Sequence, residues 1–143
     1  MQVKGLLANK GREVATISQE RTVEDALQLL RERGIGALVV TGPKPPLVGI
    51  LSERDVVRAL ATDGVDALTK SVLDVMSTSI TTCGESTTID SLMALMTNKR
   101  IRHVPVIEDG ELRGIISIGD VVKSRVDELE TEKRELIEYV SAR

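Results

Sequence analysis

The sequence predicts an α+β fold built from two copies of one small unit, packed sheet to sheet. Three observations predict it. First, the chain repeats itself: VEDALQLLRERGIGALVV at 23–40 returns as IDSLMALMTNKRIRHVPV at 89–106, 66 residues on, and GILSERDVVR at 49–58 returns as GIISIGDVVK at 114–123, 65 residues on. Second, within each copy a helical hydrophobic stripe gives way to short β-branched runs. Third, each copy is small enough to be marginal alone, and two packed sheet to sheet would bury a shared core. With no Phe, no Trp and a single Tyr, that core has to be made of Val, Ile, Leu, Met and Ala.

Taken in order, a short leading strand is expected near Glu13–Ile17, then a helix whose buried stripe is Val23, Ala26, Leu27 and Leu30, at i, i+3, i+4, i+7 spacing. A strand at Ala37–Val40, a turn over Thr41–Pro46 and a strand at Leu47–Leu51 lead to a second helix starting at Ser52-Glu53-Arg54-Asp55. Ala61–Leu73 joins the copies, and Val72–Met76 reads as a short helical turn entering the second. The second copy repeats the order: a leading strand near Ser79–Thr82, a helix on Ile89, Leu92, Met93 and Met96, a strand at Val104–Ile107, an Asp-Gly hairpin at Glu108–Glu111, and a strand at Leu112–Ser117. A helix then starts at Ser117-Ile118-Gly119-Asp120. The units are thus β-α-β-β-α motifs over residues 1–70 and 71–126, followed by a charged helical extension at 127–143. Along Val121–Arg143, Val122, Val126, Leu129, Leu136 and Val140 keep near-heptad spacing that Lys133 interrupts. Such a helix is either solvated, pairing its own charges, or docked on a second protomer or a partner.

Composition excludes several functions. A net charge of −3 and the shortage of aromatic platforms argue against nucleic-acid and membrane binding. One cysteine, Cys83, rules out an intrachain disulfide and leaves a cytoplasmic setting as the expectation; with one histidine, His103, it makes no metal site. No apolar run is long enough to cross a membrane, and Gly5–Ala8 is too short for a signal peptide. There is no Walker loop, no G-x-G-x-x-G and no Ser-His-acid or Cys-His set, so no catalytic residue is expected. His103 reads as structural and Met76, Met93 and Met96 as core filling.

Ser52 with Asp55, and Ser117 with Asp120, admit two compatible readings. Serine followed three residues on by an acid is a helix N-cap with a capping-box partner. The same geometry grips a nucleotide: free helix N–H groups and the hydroxyl face a phosphate, and the carboxylate accepts from ribose hydroxyls.

Gly49-Ile50-Leu51-Ser52-Glu53-Arg54-Asp55 and Gly114-Ile115-Ile116-Ser117-Ile118-Gly119-Asp120, each after a strand-turn-strand, resemble the cystathionine-beta-synthase-type (CBS) domain family, as do Arg102-His103-Val104-Pro105-Val106 and Asp74-Val75-Met76. The likeness covers about Glu13 to Val126. It implies a pseudo-twofold pair with two clefts that bind AMP, ATP, NAD(H) or S-adenosyl ligands, a homodimeric disc of four motifs, and a regulatory role towards a protein target that the sequence does not name. Carried over residue by residue, the first cleft would use Ser52, Arg54 and Asp55 with Ile80, Thr81, Thr82, Arg102 and His103. The second would use Ser117 and Asp120 with Ala15, Thr16, Ile17, Ile35, Gly36 and Ala37. Arg54, Arg102 and His103 suit the first to a more highly charged phosphate; Gly119, Gly36 and Ala37 leave the second roomier, less basic and suited to AMP or adenosine. The alternative is an interaction module whose clefts stay empty and whose Ser-Asp pairs are caps only.

Overall fold

The computed structural model describes residues 1–142. In chain order the elements are α1 (Val3–Lys10), β1 (Thr16–Ser18), α2 (Val23–Arg33), β2 (Ala37–Thr41), β3 (Gly49–Ser52), α3 (Glu53–Asp63), a 3₁₀ helix (Gly64–Thr69), α4 (Val72–Val75), α5 (Ile89–Lys99), β4 (His103–Glu108), β5 (Glu111–Ser117) and α6 (Ile118–Ser141). This is the expected mixed α+β chain with one small sheet per copy. β1 runs parallel to β2 and β2 antiparallel to β3; β4 and β5 form an antiparallel pair with a bulge between Val106 and Ile107.

α2, α3, α5 and α6 begin at side-chain caps. Thr22, Ser52 and Ser117 close full capping boxes with Asp25, Asp55 and Asp120. Thr88 caps α5 through the Ser91 N–H. α2 ends at Gly34 in the left-handed conformation, as helices commonly do.

The leading strand expected at Ser79–Thr82 does not form. Its place is taken by a single parallel bridge between Cys83 and Val106. The reason is a missing donor. In the first copy the Val39 N–H donates to Ala15 O at 3.1 Å; the residue in register with Val39 in the second copy is Pro105, which has no N–H. The ladder keeps Cys83 N–H to Pro105 O and Ile107 N–H to Cys83 O and goes no further. Cys83 is half-buried by this bridge, and burial pushes its thiol up to about 11.

Val3–Lys10 form a helix, α1, that the repeat pattern does not announce and the fold needs. It packs on the second copy: the Val3 N–H donates to Thr87 O and the Ile89 N–H to Met1 O. The segment before the second copy packs on the first in the same way, with Val72 N–H donating to Arg21 O and Val23 N–H to Lys70 O. The two leaders are therefore exchanged. One core joins Val3, Leu6 and Leu7 to Ile89, Leu92, Met96, Val104, Val106, Ile116 and Val121. The other joins Val72 to Ile17, Val23, Ala26, Leu30, Leu38, Val40, Leu51 and Val56. The glycines Gly49 and Gly114 make this close approach possible. A β-carbon at Gly49 would lie 2.6 Å from Met76 Sδ and 2.8 Å from Ser77 O; one at Gly114 would lie 2.6 Å from Leu7 Cδ2.

Leu38 and Val40 face the first core, yet Ala37 and Val39 on the opposite face of β2 are also buried. Burial on both faces is what packing against the other copy requires, and a β-carbon at Gly36 would lie 3.3 Å from His103 Cε1 of that copy. α6 extends well past the folded body. Val122, Val126, Leu129, Leu136, Ile137 and Val140 are all exposed along it. Arg143, the last residue of the expected helix, lies outside the described residues.

Candidate functional site

The first cleft is a cavity of about 590 Å³ where the two copies meet. Its floor is the β3–α3 junction. Ser52 ends β3, and its Oγ accepts from the Asp55 N–H at 3.3 Å and donates to Asp55 Oδ2 at 3.0 Å; the same oxygen accepts from the Ser52 N–H at 2.9 Å. A helix start leaves four N–H groups without helical partners. Here Ser52 N–H is held by Asp55, Glu53 N–H by Gly36 O at 3.0 Å, and Asp55 N–H by Ser52 Oγ. Of these four, the Arg54 N–H is the one without a partner among the described residues, and it lies at the cleft.

The opposite wall comes from the second copy. Ser79, Ile80 and Thr81 line it from the stretch that Pro105 releases from pairing, and Lys99, Arg100, Ile101, Arg102 and His103 line it from the turn between α5 and β4. Arg54, Arg58, Lys99, Arg100 and Arg102 outnumber Glu53 and Asp55, so the cavity is basic. The Arg54 guanidinium donates from Nη1 to Arg100 O at 3.2 Å, tying the walls together. Burial lowers the His103 pKa from its ordinary 6.5; Lys10 and Arg102 push the same way, against Asp120 and Glu53.

Of the residues expected here, Ser52, Arg54, Asp55, Ile80, Thr81, Arg102 and His103 all line the cavity. Thr82 does not: it is exposed, one residue before the Cys83 bridge. Arg58, Lys99 and Arg100 were not anticipated. Arg58 sits one turn past Arg54 on α3, which its spacing could have shown. Arg100 carried a plainer signal, because the repeat sets it opposite Gly34. It keeps Gly34's left-handed backbone, φ 55° and ψ 42°, a conformation costly for a side chain with a β-carbon.

The second expected set does not come together in the same way. The Ile17 side chain is buried in the first core, and Ile35 packs against it. Ala15 O is taken by the Val39 N–H, Thr16 is exposed, and Ala37 is buried in β2 opposite Ser52. Gly36 lines the first cavity, because it faces His103 across the junction. Ser117 caps α6, with its Oγ accepting from the Asp120 N–H at 3.1 Å. Asp120 lines a different cavity, of about 710 Å³, between α1 and α6. A cation that the sequence reading did not place here, Lys10, has its Nζ 2.5 Å from Asp120 Oδ2. Burial alone would raise the Asp120 carboxyl, but Lys10 and the Ser117 N–H hold it below the ordinary range. Among the described residues, no three His, Cys, Asp or Glu side chains are placed to hold a metal, and no helix is long and apolar enough to cross a membrane.

With this architecture in view, the comparison with known families is decisive. The CBS domain matches twice, over residues 10–62 and 72–127. The chain belongs to the CBS domain family. A mitochondrial CBS domain-containing protein of Arabidopsis thaliana is 38% identical over 123 residues, 83% of this CBS pair and 60% of the relative. The pair therefore spans about three fifths of that relative's length. The crystal structure of a CBS-domain protein from Agrobacterium tumefaciens is 46% identical, covers 87% of this chain and 92% of its own, and superposes with a TM-score of 0.84. A further neighbour shares the fold at 23% identity and a TM-score of 0.79, covering 90% of this chain and 98% of its own; it is a CBS domain pair in complex with 5′-methylthioadenosine and S-adenosyl-L-methionine.

Proposed function

We propose that this CBS pair is a regulatory module that binds an adenosine phosphate in the first cleft and catalyses nothing. The observation that carries the reading is the composition of that cleft: a capped serine–aspartate pair and an unpartnered Arg54 N–H on its floor, surrounded by five cationic side chains. A phosphate fits the α3 N-terminus and the basic walls. Asp55 Oδ1, which takes no part in the capping box, is available to ribose hydroxyls. Ile50, Ile80 and Ile101 offer apolar surface to a purine, and a volume of about 590 Å³ is of the size that holds small organic ligands. The adenosine ligands of the neighbouring CBS pair support the same class of compound.

The excess of cations favours a more highly charged phosphate group, ATP over AMP. The exposed Val57 on α3 and Val122, Val126 and Leu129 on α6 support a homodimer through these helices, and an unidentified protein target completes the regulatory reading. Calorimetric titration with AMP, ATP and NADH tests it. The expectation is tighter binding of ATP than of AMP, loss of both in Asp55→Ala, and a larger loss for ATP than for AMP in Arg102→Ala. No binding of any of them, with the fold intact, would leave the empty-cleft interaction module as the better reading.

A further inference from the structure

The repeat gives this chain two equivalent halves, so what differs between the clefts has to come from local residues. Ser52, Asp55 and Ile50 in the first copy correspond to Ser117, Asp120 and Ile115 in the second, 65 residues on. In the first copy, Ile50 O accepts from the Ser77 N–H at 2.9 Å, and Asp55 makes no ion pair among the described residues. In the second copy the corresponding groups share one partner. Lys10 Nζ donates to Ile115 O at 2.5 Å and to Asp120 Oδ2 at 2.5 Å.

Lys10 arrives there because the exchanged leaders differ in length. Gln2 bridges to Thr88 as Ser71 bridges to Thr22, and Leu7 covers Gly114 as Met76 covers Gly49. Beyond that point they diverge. α4 stops at Val75 and Met76 is extended, so Ser77 and Ser79 follow as small residues lining the first cavity. α1 runs on through Ala8 and Asn9 to Lys10, and only then ends at Gly11, φ 104°. The position that continues as Ser79 beside the first cleft is thus Lys10 beside the second. The ammonium is held by a carboxylate and a main-chain carbonyl together, and the side chains of Lys10 and Asp120 are 30% and 23% exposed.

We infer that Lys10 is a built-in occupant of the second cleft, its ammonium lodged between Asp120 and Ile115 O where the first cleft has the small Ser79, so that each chain binds one adenosine phosphate, in the first cleft. The inference rests on the reading of the first cleft given above and adds its stoichiometry and the residue that sets it. Asp120 Oδ2 accepts from the Ser117 N–H and from the Lys10 ammonium, so the carboxylate's charge is already neutralised and a ribose would have to compete with a cation beside it. The variants that test this lie at the exposed end of α1, outside both cores. Lys10→Ser reproduces the residue found at the first cleft, and Lys10→Arg keeps a cation.

Equilibrium dialysis with radiolabelled ATP and AMP reads the stoichiometry. The expected result is one equivalent per chain for the wild type and Lys10→Arg, and two for Lys10→Ser. The second equivalent should vanish in Lys10→Ser combined with Asp120→Ala, whereas Asp120→Ala alone leaves the single wild-type site with unchanged affinity. Two equivalents in the wild type, or one in Lys10→Ser, overturn the role of Lys10 and leave the first cleft's reading standing. A fall from two to one on Lys10→Ser would show that Lys10 holds a ligand instead of excluding it, and so overturns the inference as well. No uptake by the wild type overturns the reading of the first cleft itself.

Discussion

Replacing Arg100 by glycine should make the protein more stable and a poorer binder at once. Arg100 closes α5 with its backbone in the left-handed region, φ 55° and ψ 42°, and its N–H returns to Met96 O and Thr97 O, while Ile101 N–H returns to Met96 O. Gly34 closes α2 the same way, at φ 61° and ψ 40°. A side chain with a β-carbon costs about 1–2 kcal/mol in that conformation; glycine avoids it but loses about 0.5–1 kcal/mol through its freer unfolded state. The net expectation is a gain of about 0.5–1 kcal/mol. With a urea m-value of about 2 kcal/mol/M, that moves the midpoint up by about 0.3–0.5 M. The same change removes one of five cations from the first cleft. A solvent-facing charge is worth up to about 1 kcal/mol against an anion, about fivefold in Kd for ATP.

Arg100→Ala separates the two effects, since it loses the charge and keeps the strain. It should bind ATP as weakly as Arg100→Gly without the gain in midpoint. The carbonyl of residue 100, which accepts from Arg54 Nη1 at 3.2 Å, survives in both variants, so the wall-to-wall bond is not what is being measured. Urea melts at fixed protein concentration and ATP titrations on the three proteins make the test. An Arg100→Gly protein that melts earlier than wild type, or one that binds ATP equally well, refutes the reasoning that strain is retained here for the sake of a cation.

Gly114→Ala should cost about 1–3 kcal/mol by forcing Leu7 away and Leu7→Ala about 2–5 kcal/mol, but the double variant should fall short of their sum by at least about 0.5 kcal/mol, as urea melts would show; additive losses would mean that α1 does not rest on β5. His103 should make the protein less stable in mild acid: its folded pKa lies below the ordinary 6.5, so its contribution is complete above that value and is lost as pH falls from there through the folded pKa, where the unfolded chain binds the proton first. Melts in steps from about pH 7.5 to pH 5 should show His103→Gln with a flatter profile than wild type, and equal slopes would refute the assignment.

The parts of the fold that were legible in the sequence are those fixed by local rules. The stripes of α2 and α5, the capping serines and the paired strands could be read because burial of one helical face and satisfaction of the first N–H groups depend on neighbours a few residues away. Seven of the eight residues expected at the first cleft line it for the same reason: the repeat located Ser52 and Asp55, and the family resemblance supplied the opposite wall. What failed depended on partners distant in the chain. Pro105 could be seen, but its effect on Ser79–Thr82 needed the register with Val39. Arg100 could be seen opposite Gly34, but as a cap and not as a cleft residue. Lys10 could not be found at all by scanning for motifs, because it acts on a carboxylate 110 residues away. In the second expected set, likewise, the side chains of Ile17 and Ile35 pack into a core, which depends on partners distant in the chain.

The exchange of leaders bears directly on how such a pair could transmit a signal. A ligand changes a conformational balance only if it binds one arrangement better than another. The first cleft takes Gly36, Ser52, Arg54 and Asp55 from one copy and Ile80, Thr81, Arg100 and Arg102 from the other, so the affinity of anything bound there depends on the angle between the copies. Across the junction, Lys10 and Asp120 belong to one packed body: α1 shares its core with β5 and α6, and the ion pair stays inside that body whatever the angle. On the proposed reading, occupancy of the first cleft is therefore what would bear on the angle between the copies. α3 and α6 carry the exposed apolar residues at Val57 and Val122, and α3 begins at the floor of that cleft. A ligand that draws Arg54 and Arg102 towards one phosphate chain would turn α3 relative to α6, and with it the surface offered to a second copy or to a target.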